Sequence, residues 1–534
     1  MTIDMAEKTR ITINGIRVQY KNGGADYEAE AIHKAASRIY KKLGVKPYNL
    51  KISKKSIDAR REILFVYTVY AEIDTKRAIT EDAEIKLFSE PVILETVGDK
   101  KLTHRPVIVG FGPAGIFAAL LLAKRGYAPI VYERGSSVAD RVHAVERFIN
   151  EGVLDTNTNI QFGAGGAGTF SDGKLTTRIS DPKISYVLSV LCELGAPEEI
   201  MYKAKPHIGT DILRKVVENA DLKIRELGGE IRYNSTVSDL TDTSFVIDGE
   251  KIPFDVLVLA CGHSARDTYG ELIRDGFAVE AKPFSVGVRA EHLQSDIDSA
   301  MFGVYAGDAT LGHAEYQLSH RIGERACYTF CMCPGGVVVP SSSEENAVVT
   351  NGMSYHARDG RNANAAVCVS VNRDDFGGDP RSAIEFQRNL EKRAYTACGG
   401  NYYAPMQTVG DFLAEKSGTD YTKVVPTYRD GKVKLSNFDD IFPPFVNEML
   451  RAGFHNFGKK IKGYDADHVT LTGVETRTSA PVRILRREDC TALGHRSIYP
   501  CGEGAGYAGG IVSAAVDGLR VALSIISQYA PYCN

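Results

Sequence analysis

RPVIVGFGPAGIFAALLLAKRGYAPIVYERG, residues 105–135, sets the architecture of this 534-residue chain. Val107, Ile108 and Val109 form a short apolar, β-branched run that stops at Gly110, and Gly112 and Gly115 complete a G-x-G-x-x-G turn containing Pro113 and Ala114. An Ala- and Leu-rich helical segment follows, then a second apolar run through Ile130 and Val131 that stops at Glu133. Each glycine has a mechanical reason: Gly110 permits the tight turn, Gly112 lets backbone approach a pyrophosphate, and Gly115 lets the helix pack on the strand. The helix N-terminus then aims free N–H groups at phosphate, and Glu133 stands where a carboxylate can accept from ribose hydroxyls. The unit predicts a bound dinucleotide and leaves FAD and NAD both open.

The other end of the chain separates them. SIYPCGEGAGYAGGIVSAAVDGLRVA, residues 497–522, reads as a strand, then Gly502, Glu503 and Gly504, then Gly509 and Gly510 opening a helix at Ile511. A second strand-to-helix unit with an acid at its turn suits FAD, the acid meeting ribityl hydroxyls and the helix N-terminus facing the flavin edge that gains negative charge on reduction. A simple NAD dehydrogenase has no use for it.

Between the two units lie further contacts for the same ligand. Arg134 and Arg141 suit a nucleotide phosphate, or are plain surface arginines. NIQFGAGGAGTFSDGKLTTR, residues 159–178, sets Gly163, Gly165, Gly166, Gly168 and Gly173 around Ser171, Asp172 and Lys174. Such a loop can wrap a planar or phosphorylated ligand with backbone donors. Ile231 and Val237 alternate like a strand, and a buried strand from Val256 to Leu259 ends in Ala260, Cys261 and Gly262, which resembles the second nucleotide contact of two-domain flavoproteins.

The expected fold is α/β, with four parts. Residues 1–95 form a separate small α+β unit of βαββ pattern, compatible with half of a ferredoxin-like fold. Residues 100–275 and 469–534 form a Rossmann-type FAD-binding domain of the two-domain, glutathione-reductase-like kind, and residues 276–468 form an inserted β-rich substrate or cap domain. Lys41, Lys42, Lys51, Lys54, Lys55, Arg60 and Arg61 give the first unit a basic face, solvated surface by the simpler reading and an RNA-binding face by the other.

Composition narrows the class. The chain is 43% hydrophobic and 25% charged with a net charge of -3, so no basic excess points to nucleic acid. Ten cysteines are too dilute for a disulfide scaffold, and MTIDMAEKTR has no apolar core of a signal peptide, which together suggest cytoplasm. The apolar run GGIVSAAVDGLRVALSIIS is interrupted by Asp517 and Arg520, so no membrane partner is expected.

Taken together, KKSIDAR at Lys54, QFGAGGAGTFSDGKL, CMCPGG at Cys331, NGMS at Asn351, GVETRTSAPVR at Gly473 and GEGAGYAGGI resemble a bacterial family of uncharacterised FAD-dependent dehydrogenases. That family is distantly similar to p-hydroxybenzoate hydroxylase, geranylgeranyl reductases and the fumarate reductase flavoprotein. The resemblance implies FAD contacts at Gly110, Gly112, Gly115, Glu133, the loop from Gly165 to Lys174, Val237, Gly262, Glu503 and Gly509 to Ile511. Glu503 departs from the Asp usual in the wider fold.

For chemistry, Cys331 and Cys333 stand two apart, so in a regular strand both thiols share a face. They suit a redox dithiol, a proton donor to a substrate carbon, or two structural thiols. Cys327 completes no zinc-knuckle spacing, and no metal is expected. Lys174 and Arg477 are candidates for positive charge beside the flavin or an anionic substrate. The sequence therefore predicts an FAD-dependent oxidoreductase passing a hydride between flavin N5 and a small organic substrate, with carbon–carbon reduction or desaturation leading. Electrons would come from NAD(P)H or ferredoxin, since no second G-x-G-x-x-G unit is present. A flavin monooxygenase and an RNA-associated regulatory flavoprotein are the rivals.

Overall fold

The strand Val107–Val109 lies at the centre of a five-stranded parallel sheet, flanked by Leu257–Leu259 and Ile498–Pro500 on one side and by Ile130–Tyr132 and Glu230–Arg232 on the other. In this computed structural model the described residues are 7–21, 25–88 and 96–532. The leading MTIDMA and the expected linker start at Glu95 lie outside them.

Parallel strands require crossovers, and helices supply them here. Pro113–Lys124 is buried on nearly every side, because it lies between the sheet and the C-terminal helix Ile511–Ile526. The two helices touch closely: a Cβ on Gly518 would fall 2.2 Å from the Ala114 carbonyl oxygen. Asp517 and Arg520 mark Ile511–Ile526 as a packed helix, and no described helix is long and apolar enough to cross a membrane.

The cap is built on a seven-stranded sheet in the order Ser319–Ile322, Arg325–Cys333, Asn362–Val371, Phe284–Leu293, Thr470–Glu475, Ala404–Thr408, Val433–Leu435. Thr470–Glu475 corrects an expectation. It was assigned to the returning FAD segment at 469, but it pairs antiparallel with both Phe284–Leu293 and Ala404–Thr408. All six of its residues are buried, so its apolar pattern fits the middle of either sheet. The crossing back falls after it.

The N-terminal unit is an antiparallel sheet, Tyr48–Asp58, Leu64–Thr75, Glu7–Gln19 and the unforeseen short strand Ile85–Leu87, covered by the helix Tyr27–Leu43. Asp26 caps that helix by accepting from Ala29 N–H, and Gly44 at φ 72° closes it. The expectation of a separate unit is corrected. Lys55 N–H donates to the Tyr202 carbonyl at 2.7 Å and Ala204 N–H to the Lys55 carbonyl at 2.8 Å. Tyr20 stacks edge-on against Tyr305 at 5.0 Å, and the unit's apolar core runs on into that of the cap.

Candidate functional site

The nucleotide turn separates glycines that the protein needs from one that it does not. A Cβ on Gly110, at φ 102°, would lie 2.3 Å from the Ala260 carbonyl oxygen, and one on Gly115 would lie 1.9 Å from that of Gly110. Both positions are therefore closed by backbone. A Cβ on Gly112 would meet only the Gly166 Cα, at an ordinary 3.8 Å. Gly112 caps the helix Pro113–Lys124, and no side chain caps that end. Its missing side chain thus opens a cradle beside unsatisfied N–H groups, which fits an FAD pyrophosphate.

Glu133 is buried at the end of its strand, where its carboxylate accepts from Phe111 N–H at 2.8 Å, Gly135 N–H at 3.0 Å and Gly163 N–H at 2.9 Å. It ties the turn to the glycine-rich loop. Of roughly four lone-pair sites on a carboxylate, one is left for a ribose hydroxyl.

Arg141 does not reach a phosphate, which corrects the expectation placed on it. Its fully buried guanidinium donates to the carbonyls of Asn159 at 2.9 Å, Ile160 at 3.0 Å, Gly163 at 3.2 Å and Ala164 at 2.6 Å. It fixes the path of the loop, and with Arg214 it brackets the Phe170 ring. Arg134 pairs with Asp267 at 2.6 Å and lies over the Phe162 ring. Ser171 bridges the loop internally, donating to the Gly168 carbonyl and accepting from Gly173 N–H. Gly165, Gly166 and Gly173 all have positive φ. Val237 lies outside the strand Glu230–Arg232, packed beside the core of the sheet.

The second segment lies against the first, since a Cβ on Gly502 would be 2.7 Å from Ala114 Cβ. The glycine-rich loop touches both: a Cβ on Gly166 would be 3.1 Å from Gly112 Cα and one on Gly168 3.1 Å from Ile511 Cγ1, while one on Gly504 would be 2.5 Å from the Gly262 carbonyl oxygen. Tyr269 donates to the carbonyls of Gly262 and Gly504, tying the segment after Ala260 to the C-terminal turn. Gly509 and Gly510 have open space where a Cβ would stand, and no side chain caps the helix at Ile511. Glu503 is half-buried and, among the described residues, its carboxylate has no hydrogen-bond partner. Desolvation lifts its pKa to about 7 against the pull of Lys282. An acid left without donors beside an open helix end is what ribityl hydroxyls would complete, so the donor set fits FAD. Asp517, read from the sequence only as an interruption, holds this turn: it accepts from Gly502 N–H at 2.7 Å and pairs with both Arg486 nitrogens at 2.9 and 2.6 Å. A buried acid in an apolar helix was the signal.

Lys174 and the two cysteines converge where the loop meets the cap. Lys174 pairs with buried Asp172 at 2.7 Å, and Asp172 also accepts from Ser354 and from Arg358 at 3.0 and 2.6 Å. Arg358 reaches on to Glu315. His207 stacks on His356 beside this cluster, and burial lowers its pKa to about 4, so it is neutral. On the cap side, the regular alternation expected for Arg325–Cys333 is broken. One extra residue is inserted between Phe330 and Cys333 opposite Asn362–Val371, and Cys331 takes φ 44°. Arg289, fully buried, holds the bulge by donating to the Cys331 carbonyl at 2.9 Å while pairing with Glu475 at 3.0 and 2.9 Å. The Cys333 thiol donates to the Cys331 carbonyl oxygen at 3.4 Å. The adjoining Cys333 thiol, with Arg289 and Lys174 nearby, draws the Cys331 pKa below the ordinary thiol range against burial. The Cys331 thiol and burial push Cys333 up.

Arg477 is drawn elsewhere, which corrects its candidacy as a free charge. It pairs with buried Glu391 at 3.2 and 3.0 Å and donates to Ser343, while Arg266 grips the same carboxylate at 2.8 and 2.7 Å. The basic residues of the N-terminal unit are likewise partly paired: Lys55 with Glu28, Lys42 with Asp82 and Glu84, and Arg60 with Asp58. Arg289, Arg358 and Glu315 were missed in the sequence because nothing in their spacing sets them beside Cys331 or Lys174.

A sequence-family profile described as "FAD-dependent protein, C-terminal domain-like" matches residues 283–478, which spans the cap sheet from Phe284 into the segment after Thr470–Glu475. A protein of Clostridium beijerinckii described as uncharacterized is 45% identical over 533 residues, covering 96% of this chain and 99% of its own. Among solved structures, CtdE in complex with FAD is 14% identical, covers 79% of this chain and 84% of its own, and has a TM-score of 0.31. A mutant of 2-methyl-3-hydroxypyridine-5-carboxylic acid oxygenase is 12% identical, covers 78% and 81%, and has a TM-score of 0.31.

Proposed function

The chain belongs to the family of its clostridial relative, a family of FAD-dependent flavoproteins, and from that premise we propose an oxidoreductase that exchanges a hydride between FAD and a small organic substrate. The observation that carries this reading is the meeting of two distant glycine-rich segments, each opening an uncapped helix, with unpartnered Glu503 between them. Gly110, Gly112, Pro113, Ala114 and Gly115 would hold the pyrophosphate, and Gly502, Glu503, Gly509, Gly510 and Ile511 the ribityl chain and ring edge, in the two-segment manner of glutathione-reductase-like flavoproteins. Bound FAD would supply the hydride chemistry at N5.

The chain's own residues supply a cluster of reactive groups where the loop at Asp172 meets the bulge at Cys331, and we assign the substrate to it. Lys174 keeps positive charge there because Asp172 and Glu315 favour its charged form more than burial opposes it. Such a charge suits an anionic substrate or negative charge that grows during reaction. Cys331 and Cys333 set two thiols beside that charge, and Cys333, pushed up by burial and its neighbour, keeps its proton to give. Hydride addition to one carbon of a double bond needs a proton at the other, so a carbon–carbon double bond is the favoured target. The donor of electrons is a transient nicotinamide or a small protein such as ferredoxin.

Photoreducing the purified protein without oxygen and adding unsaturated carboxylic acids tests the reading. Reoxidation of the flavin with formation of the saturated acid supports it. Reoxidation by oxygen alone, coupled to a hydroxylated product, would favour a monooxygenase instead.

A further inference from the structure

We propose that Cys331 and Cys333 are a redox-active dithiol that closes to a disulfide and exchanges two electrons with FAD, giving the site a second electron store. The inference rests on the cluster of Lys174, Cys331 and Cys333 described above being the FAD-facing site.

Three independent features single out this pair among the nine described cysteines, all of them free. The first is backbone. Cys331 adopts a left-handed conformation that residues with a Cβ rarely take, at a β-bulge, and such outliers persist where the surroundings over-determine them. At this bulge the two cysteines adjoin, the Cys333 thiol lying 3.4 Å from the Cys331 carbonyl oxygen. The second is access: Cys333 is fully buried while Cys331 keeps partial exposure, the arrangement of an attacking and a resolving thiol. The third is charge. Lys174 faces the pair from the FAD-side loop and Arg289 from the cap sheet, and both favour thiolate at Cys331, with Asp172 opposing. Cys327 sits apart, its sulfur packed 2.3 Å from where a Cβ on Gly453 would stand, inside the apolar core.

The step balances. The Cys331 thiolate and the Cys333 thiol lose one proton and two electrons as the sulfur–sulfur bond forms, and FAD takes up that proton and both electrons. Run in reverse, reduced FAD cleaves the disulfide and returns the proton to the Cys333 thiol. Only the dithiol form then carries the proton that substrate reduction requires.

Anaerobic dithionite titration of the air-oxidised holoenzyme, followed by alkylation and fragment-ion mapping of the peptide spanning residues 326–358, tests this. Wild type is expected to take four electrons per FAD, with the oxidised peptide two hydrogens lighter and the link mapped to Cys331 and Cys333. Cys331→Ser and Cys333→Ser should each take two electrons while keeping the flavin spectrum. Uptake of two electrons by wild type, or alkylation of both sulfurs in the oxidised enzyme, overturns the proposal. A failure of the hydride reading would look different: four electrons taken up, a mapped disulfide, and no organic acceptor that reoxidises the enzyme.

Discussion

Single residues carry the sharpest contrasts. Cys331 has its thiol pKa drawn below the ordinary range by the adjoining Cys333 thiol, Arg289 and Lys174, so thiolate forms there at lower pH than at a free thiol. In the dithionite-reduced enzyme, alkylation of Cys331 by iodoacetamide should therefore level off at lower pH than that of an ordinary cysteine, which keeps gaining through pH 9. Peptide-resolved alkylation rates up to that pH decide between the two curves. Gly115 offers a structural counterpart. A methyl group there collides with backbone at 1.9 Å, so Gly115→Ala should lower stability by about 2–4 kcal/mol in urea unfolding; a loss under 1 kcal/mol would mean that the helix shifts freely. The glycines of both turns were legible because their spacing follows from backbone geometry. Arg141 and Arg477 were not, since a buried arginine and a ligand-binding arginine look alike in sequence until its acceptors are known.

Among the elements, the glycine-rich loop from Gly163 to Gly173 is the one most in need of support, because backbone this permissive does not hold a shape alone. Arg141 supplies it with four carbonyl contacts. Arg141→Leu should cost about 3–5 kcal/mol, since it removes a buried cation and leaves several carbonyls unpaired, and should quicken FAD release. Flavin dissociation followed by fluorescence checks this, and an unchanged off-rate would assign the loop's shape to other contacts. The N-terminal helix is bounded by Asp26 and Gly44, caps that act locally. The strand Thr470–Glu475 was assigned to the wrong sheet because six buried residues do not say which neighbours bury them. The bulge at Cys331 was hidden for a similar reason: C-M-C alternates well enough to look regular, and the extra residue exists only relative to Asn362–Val371.

Across the whole molecule, three parts share their packing. The N-terminal unit shares a core with the cap and pairs its Lys55 edge with residues 202–204, so removing residues 1–95 should lower the melting temperature or solubility rather than release an independent module. Buried imidazoles set the acid limit. Burial lowers His207 and His292 from 6.5 to about 4, so each adds stability that is fully present above pH 6.5 and is lost as pH falls toward 4. On the order of 1–3 kcal/mol each is at stake, and the urea midpoint should drop between pH 7 and 4.5. A flat midpoint over that window would contradict the neutral state of both rings. The central claim is that two segments almost 400 residues apart close on one FAD, with Gly112 left open for the ligand and not for the protein. Its most direct test is the flavin-to-protein ratio of Gly112→Val, read from the visible spectrum beside circular dichroism. The account predicts a folded, colourless protein with occupancy reduced at least tenfold; a folded variant that keeps its full complement of FAD would contradict it.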